Sequence, residues 1–280
     1  MKFKKRKIVV GALTCFGLLL VMAFPFGPLL PWSPVKPGYH TVGYASADVY
    51  IGGAEDQLGD YGDVDRMMRD AEAFHRMKYL RRVKVIACKS WGDCERALPW
   101  LRVKVLGGVT LETGDVIYIT PKWKEKNFSL AEFLRHELSH ALLSQHTTIR
   151  KSLKMTEQAW FSEGLAVSFG DQNAYLSRAE FLGRAPKEDL AKFIDPELMD
   201  RSGPAWDARF AYPAQRYFLE YLKGRFGADR FQDFMVKYID SPDNYRNLFN
   251  EAFQISFADA IKQFSQAIKT GEWPNAAKQS

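Results

Sequence analysis

The stretch "LRHELSHALL", residues 134–143, sets the interpretation of the whole sequence. His136 and His140 are four residues apart, so in a helix their rings project from the same face, one turn apart. Glu137 follows the first histidine and is rotated from it by about 100° around the helix axis. Two imidazoles in this arrangement can share one metal ion, with a carboxylate beside it that is not a ligand. The spacing therefore predicts a metal-binding helix.

The residues before and within this stretch give the helix a start and a buried face. "SLAE", residues 129–132, has the form of a capping box, with Ser129 as N-cap and Glu132 at N3. An apolar face follows at helical spacing, formed by Phe133, Leu134, Leu138, Ala141 and Leu142. An amphipathic helix with two structural histidines is the alternative, but the H-E-x-x-H spacing favours one Zn²⁺ ion. Zinc lowers the pKa of a bound water towards neutrality, so Glu137 suffices as general base.

A catalytic zinc site needs a third protein ligand. In the extended pattern H-E-x-x-H-x-x-G-x-x-H a glycine turns the chain, but Leu143 occupies that position and disfavours His146 as a ligand. Glu163 lies downstream in the mainly apolar "EQAWFSEGLAVSFG", where an ionised carboxylate is costly unless a cation compensates it. We therefore predict Glu163 as the third ligand. The alternative is that Glu163 lies on the helix surface, in which case Glu157 would be the third ligand.

The pair "RHELSHALL" and "WFSEGLA" resembles the gluzincin zinc metallopeptidases, in particular the peptidase MA-like group related to aminopeptidase N and thermolysin. The resemblance covers roughly residues 104–234. It includes "GGVT…DVIYITP", which is similar to the strand pair before the active helix in that group. The resemblance implies that His136, His140 and Glu163 bind zinc and that Glu137 is the general base.

Hydrolysis through a tetrahedral intermediate also needs a donor for the developing oxyanion. The resemblance implies a tyrosine or histidine from the later helices, and Tyr212 in "AYPAQRYF" is the candidate, with Tyr217 as the alternative. The "GAMEN" loop of aminopeptidase N is missing, which favours an endopeptidase. The strand "DVIYIT", residues 115–120, is either an exposed edge that pairs with an extended peptide or an interior strand.

Hydropathy patterns predict the fold class α+β, with a small mixed sheet packed on the H-E-x-x-H helix and a mainly helical C-terminal half. Strands are expected at 82–87, 101–109 and 115–120, after a helix at 63–80. Further helices are expected at 129–145, 156–170, 175–183, 186–195, 210–226, 228–239 and 256–269. We expect three regions: 1–33 as basic tip and anchor, 34–125 as linker and α/β subdomain, and 126–280 as zinc-binding helical subdomain. The last two form one catalytic unit.

The N-terminal segment predicts a membrane anchor. Five basic residues within positions 2–7 precede an uncharged apolar run at 8–24. This run reaches the roughly 17–25 residues of a spanning helix and exceeds a usual signal-peptide core. We predict an uncleaved transmembrane helix, with a cleaved signal peptide or a buried helix as alternatives. The basic tip then faces the cytoplasm, and the catalytic part lies outside the inner membrane, in the periplasm or beyond. In such a compartment Cys88 and Cys94 are expected to form a disulfide rather than remain free thiols.

Composition narrows the partners. The net charge is +6, but without the basic tip 34 basic residues face 33 acidic ones. This balance argues against a nucleic-acid partner. The sequence thus predicts a membrane-anchored zinc metallopeptidase acting on a peptide or protein. The alternative is a catalytically idle, peptidase-like binding module of the cell envelope. Such a module needs no general base, so the presence of Glu137 counts against it. A purely structural zinc is disfavoured because no cysteine lies near the motif to close the site, and a hydrolase of non-peptide substrates remains compatible with it.

Overall fold

The computed structural model describes residues 14, 17, 27–52, 62–124, 129–171, 175–201, 203 and 206–272. The strands are β1 (Tyr39–Gly43), β2 (Ala47–Gly52), β3 (Val83–Ala87), β4 (Gly108–Thr110) and β5 (Val116–Ile119). The helices are α1 (Val64–His75), α2 (Trp91–Ala97), α3 (Leu130–Gln145), α4 (Ile149–Gln158), α5 (Trp160–Gly170), α6 (Arg178–Arg184), α7 (Ala191–Ile194), α8 (Ala208–Phe226), α9 (Ala228–Asp240), α10 (Tyr245–Phe253) and α11 (Phe257–Thr270). The predicted class, α+β with a mainly helical C-terminal half, is confirmed.

The five strands form one mixed sheet in the order β1-β2-β3-β5-β4. The three central strands are parallel, and β1 and β4 run antiparallel to them at the two edges. All four residues of β5 are buried, as expected for a central parallel strand covered on both faces. The "DVIYIT" segment is therefore an interior strand and not an edge. The edge on this side of the sheet is β4.

The two faces of the sheet are covered by different parts of the chain. Helix α3 packs on one face, where Leu134 and Leu138 meet apolar side chains of the central strands. On the other face, Leu30 and Leu98 pack against residues of β3 and β5. The disulfide expected between Cys88 and Cys94 is present here and joins the end of β3 to α2. The sheet thus supports α3, the helix that carries the H-E-x-x-H motif.

The helical half has an aromatic core around Trp160, the first residue of α5. This side chain is fully buried, and its ring centroid lies 4.7 Å from that of Phe257. Phe218 of α8 and Phe234 of α9 lie beside it, at 6.0 and 6.3 Å. Large aromatic side chains contribute most of the burial energy of such a core. They hold α5 between α3 and α8.

Several element boundaries differ from the sequence expectation. The helix expected at 156–170 breaks at Ala159, whose φ of 57° and ψ of −47° separate α4 from α5. The helix expected at 63–80 ends at His75 because Arg76 adopts a left-handed conformation. The strand expected at 101–109 is instead a short 3₁₀ turn followed by β4. No element was expected from the sequence at β1, β2, α2 or α10, nor over residues 149–155 of α4, and each of these elements has at most ten residues.

The predicted anchor at 8–24 lies outside the described residues, apart from positions 14 and 17. Within the described ranges, no helix has both the length and the apolar character needed to cross a bilayer.

Candidate metal centre

Helix α3 brings the two motif histidines together. The Nε2 atoms of His136 and His140 are 3.1 Å apart, and their ring planes are inclined by 72°. His136 is buried, and 19 % of the His140 side chain is exposed. The apolar face of α3 lies against the sheet, so both rings point away from it towards the helical half. The i, i+4 spacing seen in the sequence therefore becomes a pair of convergent nitrogen donors.

Glu163, in the first turn of α5, completes the group. Its Oε2 lies 3.4 Å from Nε2 of His136 and 3.7 Å from Nε2 of His140. The neighbouring Gly164 allows α5 to pack closely on α8, since a Cβ there would lie 2.8 Å from Leu219 Cδ1. Glu157, the alternative ligand, lies on α4, pairs with Lys154 and is 68 % exposed in its side chain. It takes no part in the group.

The three side chains fit a zinc ion. Their donor atoms all lie within 4.8 Å of one another. Tetrahedral zinc with bonds of about 2.0–2.2 Å places neighbouring donors roughly 3.3–3.6 Å apart. The observed separations of 3.1, 3.4 and 3.7 Å match this spacing. Two imidazoles and one carboxylate are also the donor set of catalytic zinc sites, which leave one coordination position open.

The charges of the group favour a cation at its centre. Burial alone would raise the pKa of Glu163, but His140 and His136 hold it well below its usual range. Burial would likewise lower the pKa of His140, but the Glu163 carboxylate outweighs this and raises it. The carboxylate is therefore ionised while buried against two rings. Such a charge is stable in the interior only when a cation or hydrogen bonds compensate it.

Glu137 lies beside the three donors without being one of them. It is buried, and its Oε2 accepts a hydrogen bond of 2.7 Å from the Thr110 hydroxyl of β4. The backbone of β4 approaches so closely that a Cβ on Gly108 would lie 2.6 Å from Glu137 Cγ. The contact of Thr110 with Glu137 was not predicted from the sequence. Its signal was the pair of glycines in "GGVT", which allows close contact between a strand and the motif helix.

These groups line a cleft of about 760 Å³ between β4, α3, α4, α5 and α8. Tyr212, the predicted oxyanion donor, lines it, and its ring centroid is 5.2 Å from that of Tyr175. The charge of Glu163, followed by burial, raises the pKa of Tyr212, so the phenol keeps its proton at neutral pH and can donate it in a hydrogen bond. The alternative, Tyr217, is buried in the helical core against Phe181 and does not line the cleft.

Further residues of the cleft were not anticipated from the sequence, among them Tyr175, Glu112 and Arg201. His146, which the sequence disfavours as a ligand, lies outside the site, and so does His75. His75 is buried, and its Nε2 lies 2.9 Å from the Ser139 hydroxyl. His146 follows the last residue of α3, and its Nε2 donates a hydrogen bond to the Lys78 carbonyl.

Several solved structures are similar to this chain. One is an M1 zinc metallopeptidase from Deinococcus radiodurans, at 16 % identity and a TM-score of 0.49, over 85 % of this chain and 53 % of that one. Another is leukotriene A4 hydrolase from Saccharomyces cerevisiae, at 14 % identity and a TM-score of 0.45, over 85 % and 39 % of the two chains. The chain thus spans about half the length of these proteins or less. Models of known protein families do not match it, and neither do curated proteins. Likeness at this level assigns no activity to the chain.

Proposed function

We propose that this chain is a zinc-dependent metallopeptidase of the gluzincin type. His136, His140 and Glu163 hold one Zn²⁺ ion, and Glu137 is the general base. The observation that carries the proposal is the convergence of three donor atoms at zinc spacing, with a second, non-ligating carboxylate, Glu137, beside them on the helix of the two histidines. A closed structural site would use that position for a fourth ligand rather than for a base.

The chain's own residues supply the proton transfers of peptide hydrolysis. When bound, zinc lowers the pKa of a water molecule and polarises the substrate carbonyl. Glu137 accepts a proton from the attacking water and returns it to the leaving amine, while Thr110 holds the carboxylate in one orientation. The Tyr212 phenol donates a hydrogen bond to the oxygen that becomes negatively charged. The free side of β4 offers backbone groups to an extended peptide.

The substrate we propose is a peptide or protein cleaved internally, outside the cytoplasm. The missing "GAMEN" loop supports an endopeptidase, and a cleft of about 760 Å³ has room for several residues. The basic tip and the apolar run at 8–24 support a single-pass inner-membrane anchor with a cytoplasmic N-terminus. The disulfide supports an oxidising compartment. Regions 34–125 and 126–280 act as one unit in this proposal, because α3 packs on the sheet.

Zinc content and peptide cleavage, measured on the same purified protein, test the proposal. We expect about one zinc per chain and cleavage products from a mixed peptide library. Glu137→Gln should keep zinc and lose at least about a hundredfold in kcat, as expected for removal of a general base. Glu157→Gln, a change on the exposed side of α4, should leave both unchanged. A parent protein that holds no zinc contradicts the site, and full cleavage by Glu137→Gln contradicts the role of the base. Peptide binding without cleavage by the parent would favour the idle binding module.

A further inference from the structure

Glu112 is a carboxylate of the cleft that the proposed chemistry does not use. It lies two residues beyond the end of β4 and is half-buried. Two hydroxyl groups of α4 bind it, one on each oxygen: Ser152 donates to Oε2, and Thr156 lies 3.3 Å from Oε1. The carboxylate is thus held in one place on the cleft wall, facing the space that a substrate would occupy.

Among the described residues, no lysine or arginine forms an ion pair with Glu112, and the nearest interaction of its charge is with His140 across the cleft. The other two cleft carboxylates are differently placed, since Glu163 faces two histidines and Glu137 is in the hydrogen bond with Thr110. Lys122, Arg201 and Arg209 also line the cleft. The Arg201 guanidinium donates to the Thr156 carbonyl at 3.1 Å and lies within hydrogen-bonding range of Tyr212. Hydroxyl groups orient a carboxylate without neutralising it, and a half-buried negative charge attracts a cation.

The position of Glu112 along the chain relates it to the reacting groups. Thr110, which binds Glu137, is two residues before it, and the chain enters a turn at Glu112, so the Cα atoms of the two residues are at most about 7 Å apart. A peptide paired with β4 and bound with its scissile bond near Glu137 therefore places a group one or two residues away beside Glu112.

We propose that Glu112 is a specificity-determining residue that binds a cationic group of the substrate, one or two residues from the cleaved bond. This inference rests on the proposed peptidase function. The side chain of a lysine or arginine is the cation that an internally cleaved substrate offers. A free amino terminus presents the same N–H donors to the carboxylate, but its binding so near the cleaved bond would make the protein an exopeptidase.

Matched short alanine-based peptides separate these two sources. One series carries lysine or the uncharged norleucine at each position in turn, and a second has a free or acetylated amino terminus. Their affinities are measured for zinc-loaded Glu137→Gln, which prevents turnover, and for the double variant Glu137→Gln with Glu112→Gln. The second substitution keeps the size of the side chain and removes its charge. The amide accepts through its oxygen and donates through its nitrogen, and the hydroxyl groups of Ser152 and Thr156 can rotate to accept as well as donate. The same peptides are then given to the parent protein, and kcat/KM is measured.

We expect at least one cationic peptide to bind about tenfold more tightly than its neutral match, and this preference to disappear with Glu112→Gln while neutral peptides bind as before. Glu157→Gln, which removes a negative charge from the other side of α4, should keep the preference. Equal binding of charged and neutral peptides, or a preference that survives Glu112→Gln, overturns the role of Glu112. Cleavage by the parent is a separate readout: its absence contradicts the peptidase function, whatever the binding series shows.

Discussion

The hydroxyl of Thr110 donates a hydrogen bond of 2.7 Å to Oε2 of Glu137, which joins the edge of the sheet to the motif helix. The same hydroxyl lies 3.0 Å from the backbone carbonyl of Glu137. On the same strand, Gly108 leaves the space that the Glu137 side chain occupies. The orientation of the proposed base is therefore set by β4, a strand of three residues, and not by α3 alone.

Replacement of Thr110 tests this relationship. Thr110→Val keeps the shape of the side chain and removes the hydroxyl, so we expect kcat to fall about tenfold with bound zinc unchanged. Thr110→Ser keeps the hydroxyl and should retain most of the activity. Steady-state kinetics with one cleaved peptide, together with zinc analysis, provide the measurement. A valine variant as active as the parent would show that Glu137 does not depend on this bond.

Gly164 permits the contact between α5 and α8 that positions Glu163. A Cβ at Gly164 would lie 2.8 Å from Leu219 Cδ1 and 3.0 Å from the Gln215 carbonyl oxygen. We expect Gly164→Ala to lower the free energy of unfolding by about 1–3 kcal/mol and to weaken zinc binding, because α5 must move away from α8. Denaturant unfolding and zinc titration are the measurements.

An exposed glycine of α6 provides the matched control for this substitution. A Cβ at Gly183 has no neighbour within 4 Å. Gly183→Ala should therefore raise the free energy of unfolding by up to about 1 kcal/mol through helix propensity, with zinc binding unchanged. If both alanine variants behave alike, the close approach of α5 and α8 does not explain the glycine at 164.

Lys223 of α8 makes the free energy of unfolding depend on pH in the alkaline range. Burial lowers its pKa to about 8, while Glu220 opposes this shift and Arg76 adds to it. Below pH 8 both the folded and unfolded states carry the proton. Between about pH 8 and the unfolded value of 10.5 the unfolded state binds more protons, so stability rises with pH. The ammonium group also lies 4.5 Å from the centroid of the Phe74 ring and 4.8 Å from that of Phe231, which favours the charged form and reduces the effect.

Comparison with Lys223→Met isolates this contribution. The stability of the parent relative to the variant should rise by about 1–2 kcal/mol from pH 8 to pH 10. Urea unfolding at several pH values measures the difference. Lys237→Met, which removes an exposed lysine of α9, is the matched control for the loss of one positive charge. A flat profile for Lys223→Met would mean that the buried ammonium is fully stabilised by its surroundings.

The disulfide between Cys88 and Cys94 closes a short loop between β3 and α2. In the chain-entropy model such a loop contributes about 2 kcal/mol to the free energy of unfolding. We expect the double variant Cys88→Ser, Cys94→Ser to lose about this amount, and a reductant to lower the Tm of the parent but not of the variant. Zinc content should be unchanged, because the disulfide lies on the face of the sheet opposite α3. Equal stability of the parent and the variant would contradict the contribution of the bond.

The sequence anticipated the parts of the fold that local patterns determine. The helix with His136, Glu137 and His140, the strand β5 and most later helices were predicted within a few residues. The break at Ala159 was not, because a positive φ at an alanine has no local signal and arises from the packing around it. The predicted capping box at Ser129 is present only in part. The Glu132 side chain accepts a hydrogen bond from the Ser129 backbone, but the Ser129 side chain makes no capping hydrogen bond.

By itself, the sequence determined the spacing of the two histidines and the glutamate between them, since one helical turn places i and i+4 on the same face in any fold. It also showed that Glu163 is a carboxylate in a mainly apolar segment. Only the tertiary structure decided that Glu163 reaches the histidines, that Thr110 holds Glu137 and that Glu112 faces the cleft. These contacts join elements distant in the chain, and they follow from which apolar faces are buried together, a property that no local pattern contains.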